Sequence, residues 1–201
     1  RPAPPTMPAL MSGSRRFVVT LQELDTYAAH RSAPAVGPLE PLPGPDDRAP
    51  EEDFFAYLST TYGATQRAVD ALLASGLRGS FYLRDAHPSE RDALRRRGAV
   101  LHDSPPPLTE VVPRVRLVVH HGGLGTSEQV LALGRPQLLV PRHMEQALNA
   151  RALGSFKVGV MMASGGRFQK EHVTQALKAL TGRSDFADNA ARLAQRLAAR
   201  S

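Results

Sequence analysis

The chain has 201 residues, 42% of them apolar, and a net charge of +6, enough for one good-sized domain with its own core. It contains no cysteine, which removes disulfides, thiolate metal sites and a cysteine nucleophile. No apolar run approaches the roughly 20 residues that cross a bilayer, and the proline-rich start is no signal segment, so the expectation is a cytoplasmic protein.

Nearly all the cations are arginine, with lysine only at 157, 170 and 178. Aromatics are 5%, tryptophan is absent and the arginines are scattered, so the charge reads as solvated surface and no nucleic-acid partner is expected. Residues 1–16 (RPAPPTMPALMSGSRR) have the composition of a flexible segment. RFVVTL then predicts a short strand. Residues 31–53 hold Pro34, Pro38, Pro41, Pro43, Pro45 and Pro50 and read as a linker, too proline-rich for a helix or a central strand.

From residue 54 the pattern becomes regular. FFAYLS predicts a strand and TQRAVDALLAS a helix ending at Gly76. SFYLR is a strand, HPSERDALRRRG a helix with Pro88 early and Gly98 past its end, AVL a strand and PPLTEVVPRV a short helical turn. LVVH, QLLV and KVGVMM are strands. SEQVLALG, EQALNARALG, KEHVTQALKALTG and DFADNAARLAQRLAAR are helices. Strands alternating with helices imply an α/β fold, a Rossmann-like parallel sheet with helices on both faces. Ligands of such sheets bind beyond the carboxyl ends of the strands, where His120 and His121 stand.

The histidines are followed at once by a glycine turn, LVVHHGGLGTSEQ. A strand, a glycine-rich turn and a helix start make an anion site, because the first helical N–H groups lack partners and the helix dipole favours negative charge there. Thr126 and Ser127 can cap the helix or donate hydroxyls to phosphate oxygens. The dinucleotide fingerprint fails, since Gly123 and Gly125 fill its first two glycine positions but Glu128 stands at the third, and no P-loop motif is present. Adjacent strand residues point to opposite faces, so only one of the two histidines is expected to face the ligand, and either could instead be a satisfied core histidine. A metal site with His102 or His143 lacks ligand spacing, and no metal is expected.

HHGGLGTSEQVLALGRPQLLVPRHMEQALNARAL resembles the donor-binding signature of the family 1 nucleotide-sugar glycosyltransferases of the two-domain GT-B fold, without a gap from His121 to Gln146. The resemblance implies that His121 touches the donor diphosphate and that Gly123, Gly125, Thr126 and Ser127 cradle it. The family's ribose-binding acid would fall on Gln129, with Glu128 just before it, and the pair stays open. Glu145 and Gln146 match the residues that grip the sugar hydroxyls. LSTTYGA resembles a donor-site loop, bringing in Thr61 and Gly63. LHDSPPPL resembles the loop on the base, with proline, near Pro105, where many members have tryptophan.

Residues 17–53 resemble the end of the family's first domain and the interdomain linker, and 54–201 its donor-binding domain. The family's catalytic base belongs to that first domain, and none of the seven histidines takes its place. The implied function is the donor half of a glycosyltransferase that moves a hexose from a UDP- or dTDP-sugar to an acceptor hydroxyl, with no further cofactor. A protonated or donating His121 would stabilise the departing diphosphate. The partner is an N-terminal acceptor domain or an equivalent chain, and little transfer is expected without it. The alternatives are a non-catalytic nucleotide-sugar-binding subunit that completes a partner chain, and a relative of the nucleotide-sugar epimerases. Arg192, Arg196 and Arg200 on the last helix either cross back to the first domain or form a solvated face.

Overall fold

A computed structural model describes residues 17–200; the flexible segment expected over 1–16 lies outside the described residues. Six strands alternate with helices: β1 (Glu52–Ser59), α1 (Thr65–Leu73), β2 (Gly79–Arg84), α2 (Pro88–Arg96), β3 (Val100–Leu101), α3 (Leu108–Val111), β4 (Val115–His120), α4 (Leu124–Ala132), β5 (Gln137–Leu139), α5 (Met144–Ser155), β6 (Gly159–Met161), α6 (Lys170–Gly182) and α7 (Ser184–Ala198). All neighbours pair parallel, in the order β3-β2-β1-β4-β5-β6. The order reverses between β1 and β4, which makes their carboxyl ends the topological switch point.

The sheet is covered on both faces. Along β1 the side chains alternate: Phe54, Ala56 and Leu58 pack with Val69 and Leu72 of α1 and Leu177 of α6, while Phe55 packs the other way against Val118, Val130 and Leu133. A third cluster joins Leu131 of α4, Leu153 of α5 and Leu193 and Leu197 of α7 to Leu21 and Leu24.

Within RFVVTL, the described residues 17–21 do not form the expected strand. Val18 accepts one bond from the Val36 N–H, and the segment runs over helices instead of along a sheet edge. The proline-rich stretch beyond it is short of the donors a ladder needs. Residues 20–24 are instead fastened to α4. The buried carboxylate of Glu128 accepts the Leu21 N–H at 2.9 Å and the Thr20 hydroxyl at 3.2 Å. Burial pushes its pKa up against the pull of those two bonds. Glu128→Ala would leave both donors without their acceptor and is expected to cost about 1–2 kcal/mol. Denaturant unfolding and faster amide exchange at Leu21 would show it, and a glutamine, which still accepts, should restore most of the loss. Just past the end of α7, Arg200 pairs with Glu23 at 2.6 Å, while Arg192 and Arg196 on the helix are exposed.

Candidate functional site

A cleft of about 140 Å³ opens at the switch point. Tyr57, Leu58 and Ser59 of β1, Arg84 of β2 and His120 of β4 form its floor and one wall. His121, Gly123 and Thr126 after β4, Arg142 between β5 and α5, and Gln146 in the first turn of α5 complete it. Two larger hollows, of about 780 and 710 Å³, lie at the opposite strand ends around Arg116 and Pro136 and beneath residues 35–44. Neither gathers the turn and helix start that single out the smaller cleft, so we take the smaller one as the site.

Both histidines border the cleft, but their surroundings differ. His120 is buried; its Nε2–H donates to Gln137 Oε1 at 2.7 Å and its Nδ1 accepts the Gly122 N–H at 3.1 Å. Desolvation lowers its pKa to about 4, so it is neutral at pH 7. His121 is half-buried at the cleft. Its Nδ1–H donates to the Val140 carbonyl at 2.8 Å, and its Nε2 accepts the Ser59 N–H at 2.8 Å. Burial first, then the charges of Arg142, Arg84 and His143, lower its pKa. Both ring nitrogens meet backbone groups, so His121 ties the end of β1 to the end of β5.

The glycine turn bends at Gly122, whose φ is +86° and whose carbonyl accepts Asn149 Nδ2 at 3.0 Å. Gly123 is extended and caps α4, which starts at Leu124, three residues before the expected start. Thr126 and Ser127 are thus inside the helix and cap nothing. The N–H groups of Leu124, Gly125 and Thr126 head the helix, and the first α4 bond runs from Ser127 N to Gly123 O at 2.9 Å. Gly123 and Thr126 face the cleft, and Gly125 is exposed beside them.

Ser127 departs from the expectation: it is fully buried, and its Oγ has no partner among the described residues. Glu128 departs too, because its carboxylate is spent on residues 20 and 21. Starting the helix early rolls both side chains inward. Gln129 is half-buried and outside the cleft lining. Gln146 lines the cleft, with its Oε1 accepting the Arg142 N–H at 2.8 Å; Glu145 is exposed at the start of α5 and accepts from Asn149 Nδ2 at 3.2 Å. Thr61 touches the site through Arg142 Nη2, at 3.1 Å from its Oγ1. Gly63 opens instead onto a separate hollow between α1 and α2, and Pro105 is exposed beyond the cleft.

Sequence reasoning missed four residues. Arg142 Nη2 donates to Thr61 Oγ1, Thr61 lies 2.8 Å from Ser59 Oγ, Ser59 donates to Asp85 Oδ2 at 2.9 Å, and Arg84 Nε lies 3.3 Å from the same oxygen. Arg84, Asp85 and Arg142 each sit just at or beyond the end of an expected strand, which was the available signal. His102 bonds Ser80 at 3.1 Å and meets Phe55 edge-on, whereas His143 lies 3.9 Å from Glu145. Among the described residues no group of three or more His, Asp or Glu is placed to hold a metal ion. Among the described residues no helix is long and apolar enough to cross a membrane.

The sheet order and the helix layers are those of one half of a GT-B glycosyltransferase. The spinosyn rhamnosyltransferase SpnG superposes with a TM-score of 0.67 at 22% identity, over 88% of this chain and 50% of that one, and is also known complexed with thymidine diphosphate. Residues 101–201 match the family described as erythromycin biosynthesis protein CIII-like, C-terminal domain, and the chain belongs to that family. It is similar to the elloramycin glycosyltransferase ElmGT of Streptomyces olivaceus, 36% identical over 103 residues, 51% of this chain and 27% of that protein. It is also similar to the aclacinomycin-T 2-deoxy-L-fucose transferase of Streptomyces galilaeus, 33% identical over 88 residues, 43% of this chain and 20% of that protein. The matched region thus spans half or less of the length of these proteins.

Proposed function

We propose that this chain is the donor-binding half of a glycosyltransferase that moves a hexose from a uridine or thymidine diphosphate sugar to an acceptor hydroxyl. The observation that carries the reading is the cleft at the switch point, with the start of α4 aimed into it, in a chain whose relatives are glycosyltransferases. The diphosphate lies against Gly123, Gly125 and Thr126, where the helix dipole and the leading N–H groups oppose its charge. Gln146 and Glu145 take the sugar hydroxyls, and Gln129 is left as the ribose contact because Glu128 is engaged elsewhere.

In the transfer the acceptor oxygen bonds to the anomeric carbon as the bond from that carbon to the diphosphate oxygen breaks. The electron pair leaves with the nucleoside diphosphate, and the acceptor proton goes to a base on the other half of the enzyme. The stabilised leaving charge is this chain's contribution, through groups fixed before the reaction begins.

Incubating the chain with UDP- and dTDP-glucose should give weak binding, almost no transfer and an unchanged sugar configuration. Supplying the complementary N-terminal half should raise turnover by orders of magnitude. Substantial turnover by the chain alone would sink the division of labour. Inversion at a sugar carbon without transfer would favour the epimerase reading, and binding that never leads to transfer with any complementary half would favour a non-catalytic subunit.

A further inference from the structure

Arg192 and Arg196 have no place in the cleft, and the fold gives them other neighbours. Both are exposed on α7, and with Phe156, Asn189 and Leu193 they line a hollow of about 340 Å³ between the end of α5 and α7. Phe156 is one of the large apolar side chains left exposed, and Lys157, which follows it, is exposed too. The Lys157 carbonyl accepts Asn189 Nδ2 at 3.3 Å, which ties the two sides of the hollow together.

The charge here has one sign. Residues 146–170 contain no aspartate or glutamate, and neither do residues 189–201. Asp185 and Asp188 lie in the first two turns of α7, where Asp185 is paired with Arg183 at 2.7 Å. On the segment packed against α5 and α7, Glu23 is paired with Arg200 and Asp25 with Arg31. Lys157, Arg192 and Arg196 have no ion pair among the described residues.

The turn that carries Lys157 is strained. α2 and α4 are each followed, two residues past their last, by a glycine of positive φ, Gly98 and Gly134. α5 has Lys157 at the same place, with a φ of +53°. All three turns close the same pair of backbone bonds, in α5 from Lys157 N to Gly154 O and from Val158 N to Leu153 O. Glycine takes this left-handed position at the least cost. Here it is held by a cation beside an exposed ring, and the chain has only three lysines.

A partner for this set carries negative charge without a fixed shape and accepts an aromatic ring at its border. The long cationic side chains lay their stems on apolar surface and extend their heads outward. An anionic lipid surface meets both demands, with its headgroups on the cations and the ring at the interface. Only five residues line the hollow, where a specific protein interface engages roughly 20–30 a side. Nucleic acid binds through a longer run of phosphate contacts than three cations supply. α5 sets how the chain would lie. Its first turn carries Gln146 at the cleft, and Phe156 follows its last residue about 15 Å away, so the cleft stays open when the hollow is covered.

We infer that Phe156, Lys157, Arg192 and Arg196 form a docking patch for an anionic lipid surface, at the end of α5 away from the candidate cleft. The patch is independent of what the cleft binds.

The test is flotation of the chain with vesicles of phosphatidylcholine alone and of an equal mixture of phosphatidylcholine and phosphatidylglycerol, at low and high salt. It compares wild type with Arg192→Gln/Arg196→Gln, Lys157→Gly and Phe156→Ser. A control pair, Arg96→Gln/Arg167→Gln, removes the same charge from two exposed arginines elsewhere. Wild type should bind the mixed vesicles at low salt, release them at high salt and ignore phosphatidylcholine. Binding should weaken about fivefold for each patch cation lost, hence about 25-fold in the Arg192/Arg196 pair. Phe156→Ser should weaken it without changing its salt dependence, and the control pair should stay within about twofold of wild type. Lys157→Gly relieves the left-handed turn, so it should unfold no more easily than wild type, and its weaker binding then reports the lost charge. No binding of the mixed vesicles by wild type, or an equal loss in the control pair, would overturn the inference. Tighter binding of polyglutamate or of duplex DNA than of the mixed vesicles would overturn it too, in favour of an acidic protein or a nucleic acid.

Discussion

Gly122→Ala is expected to destabilise the chain by about 2–4 kcal/mol, combining left-handed strain with a steric clash. Gly122 has a φ of +86°, and a Cβ there would lie 2.9 Å from the Gln146 carbonyl oxygen, with the Leu139 side chain at 3.5 Å. The carbonyl belongs to the backbone of α5 and cannot swing aside. The displaced turn would also lose the Gly122 N–H bond to His120 and the Asn149 bond to its carbonyl. Gly123→Ala, one residue on, is the control. Gly123 has an ordinary φ of −61°, and a Cβ there meets nothing within 4 Å, so its stability should change little. Denaturant unfolding of the two variants settles the matter: equal losses would mean that the turn is not pinned at Gly122.

The second large effect is acid loss of stability through His120. In the folded chain burial lowers its pKa to about 4, from the ordinary 6.5. Between those values the unfolded chain binds the proton and the folded chain does not, so stability falls as pH drops. The contribution is complete above pH 6.5, declines through the window down to about pH 4, and amounts to about 3 kcal/mol. The cause is visible in the bonds. A proton on Nδ1 would face the Gly122 N–H and bury a charge with no carboxylate beside it. His121 has its pKa lowered in the same direction, so the clean measurement is a comparison of wild type with His120→Asn. Unfolding free energies at pH 7.5, 6, 5 and 4 should converge as the pH falls, as the wild type loses what the variant never had. Parallel profiles, or a His120 ring proton that titrates near pH 6.5 by NMR, would refute the assignment.

The α/β alternation was legible because each segment carried its own period and its own stop, as at Gly76, Gly98 and Gly134, all of which adopt positive φ. The turn after β4 was legible as an anion site for the same local reason. The alternation of a strand also put His120 and His121 on opposite faces. What each meets depends on the neighbours: Gln137 of β5 bonds His120, and Ser59 and Val140 close on His121. The register of α4 decided Ser127 and Glu128. Three residues of earlier helix turn both to the inside, where the Thr20–Leu21 segment waits for a carboxylate.

The sequence by itself determined the class of fold, the strand end at which a ligand would sit, and the glycine turn and helix start that would receive an anion. These depend on contacts among residues close in the chain, where side-chain period and backbone preference act directly. Only the tertiary structure decided which charges stand in the cleft. Arg84 and Arg142 are 58 positions apart and meet the same chain of hydrogen bonds because the sheet order sets β2 and β5 on either side of β1 and β4. Among so many scattered arginines nothing local marks those two, and nothing local shows that a histidine beside them would have its nitrogens taken by backbone.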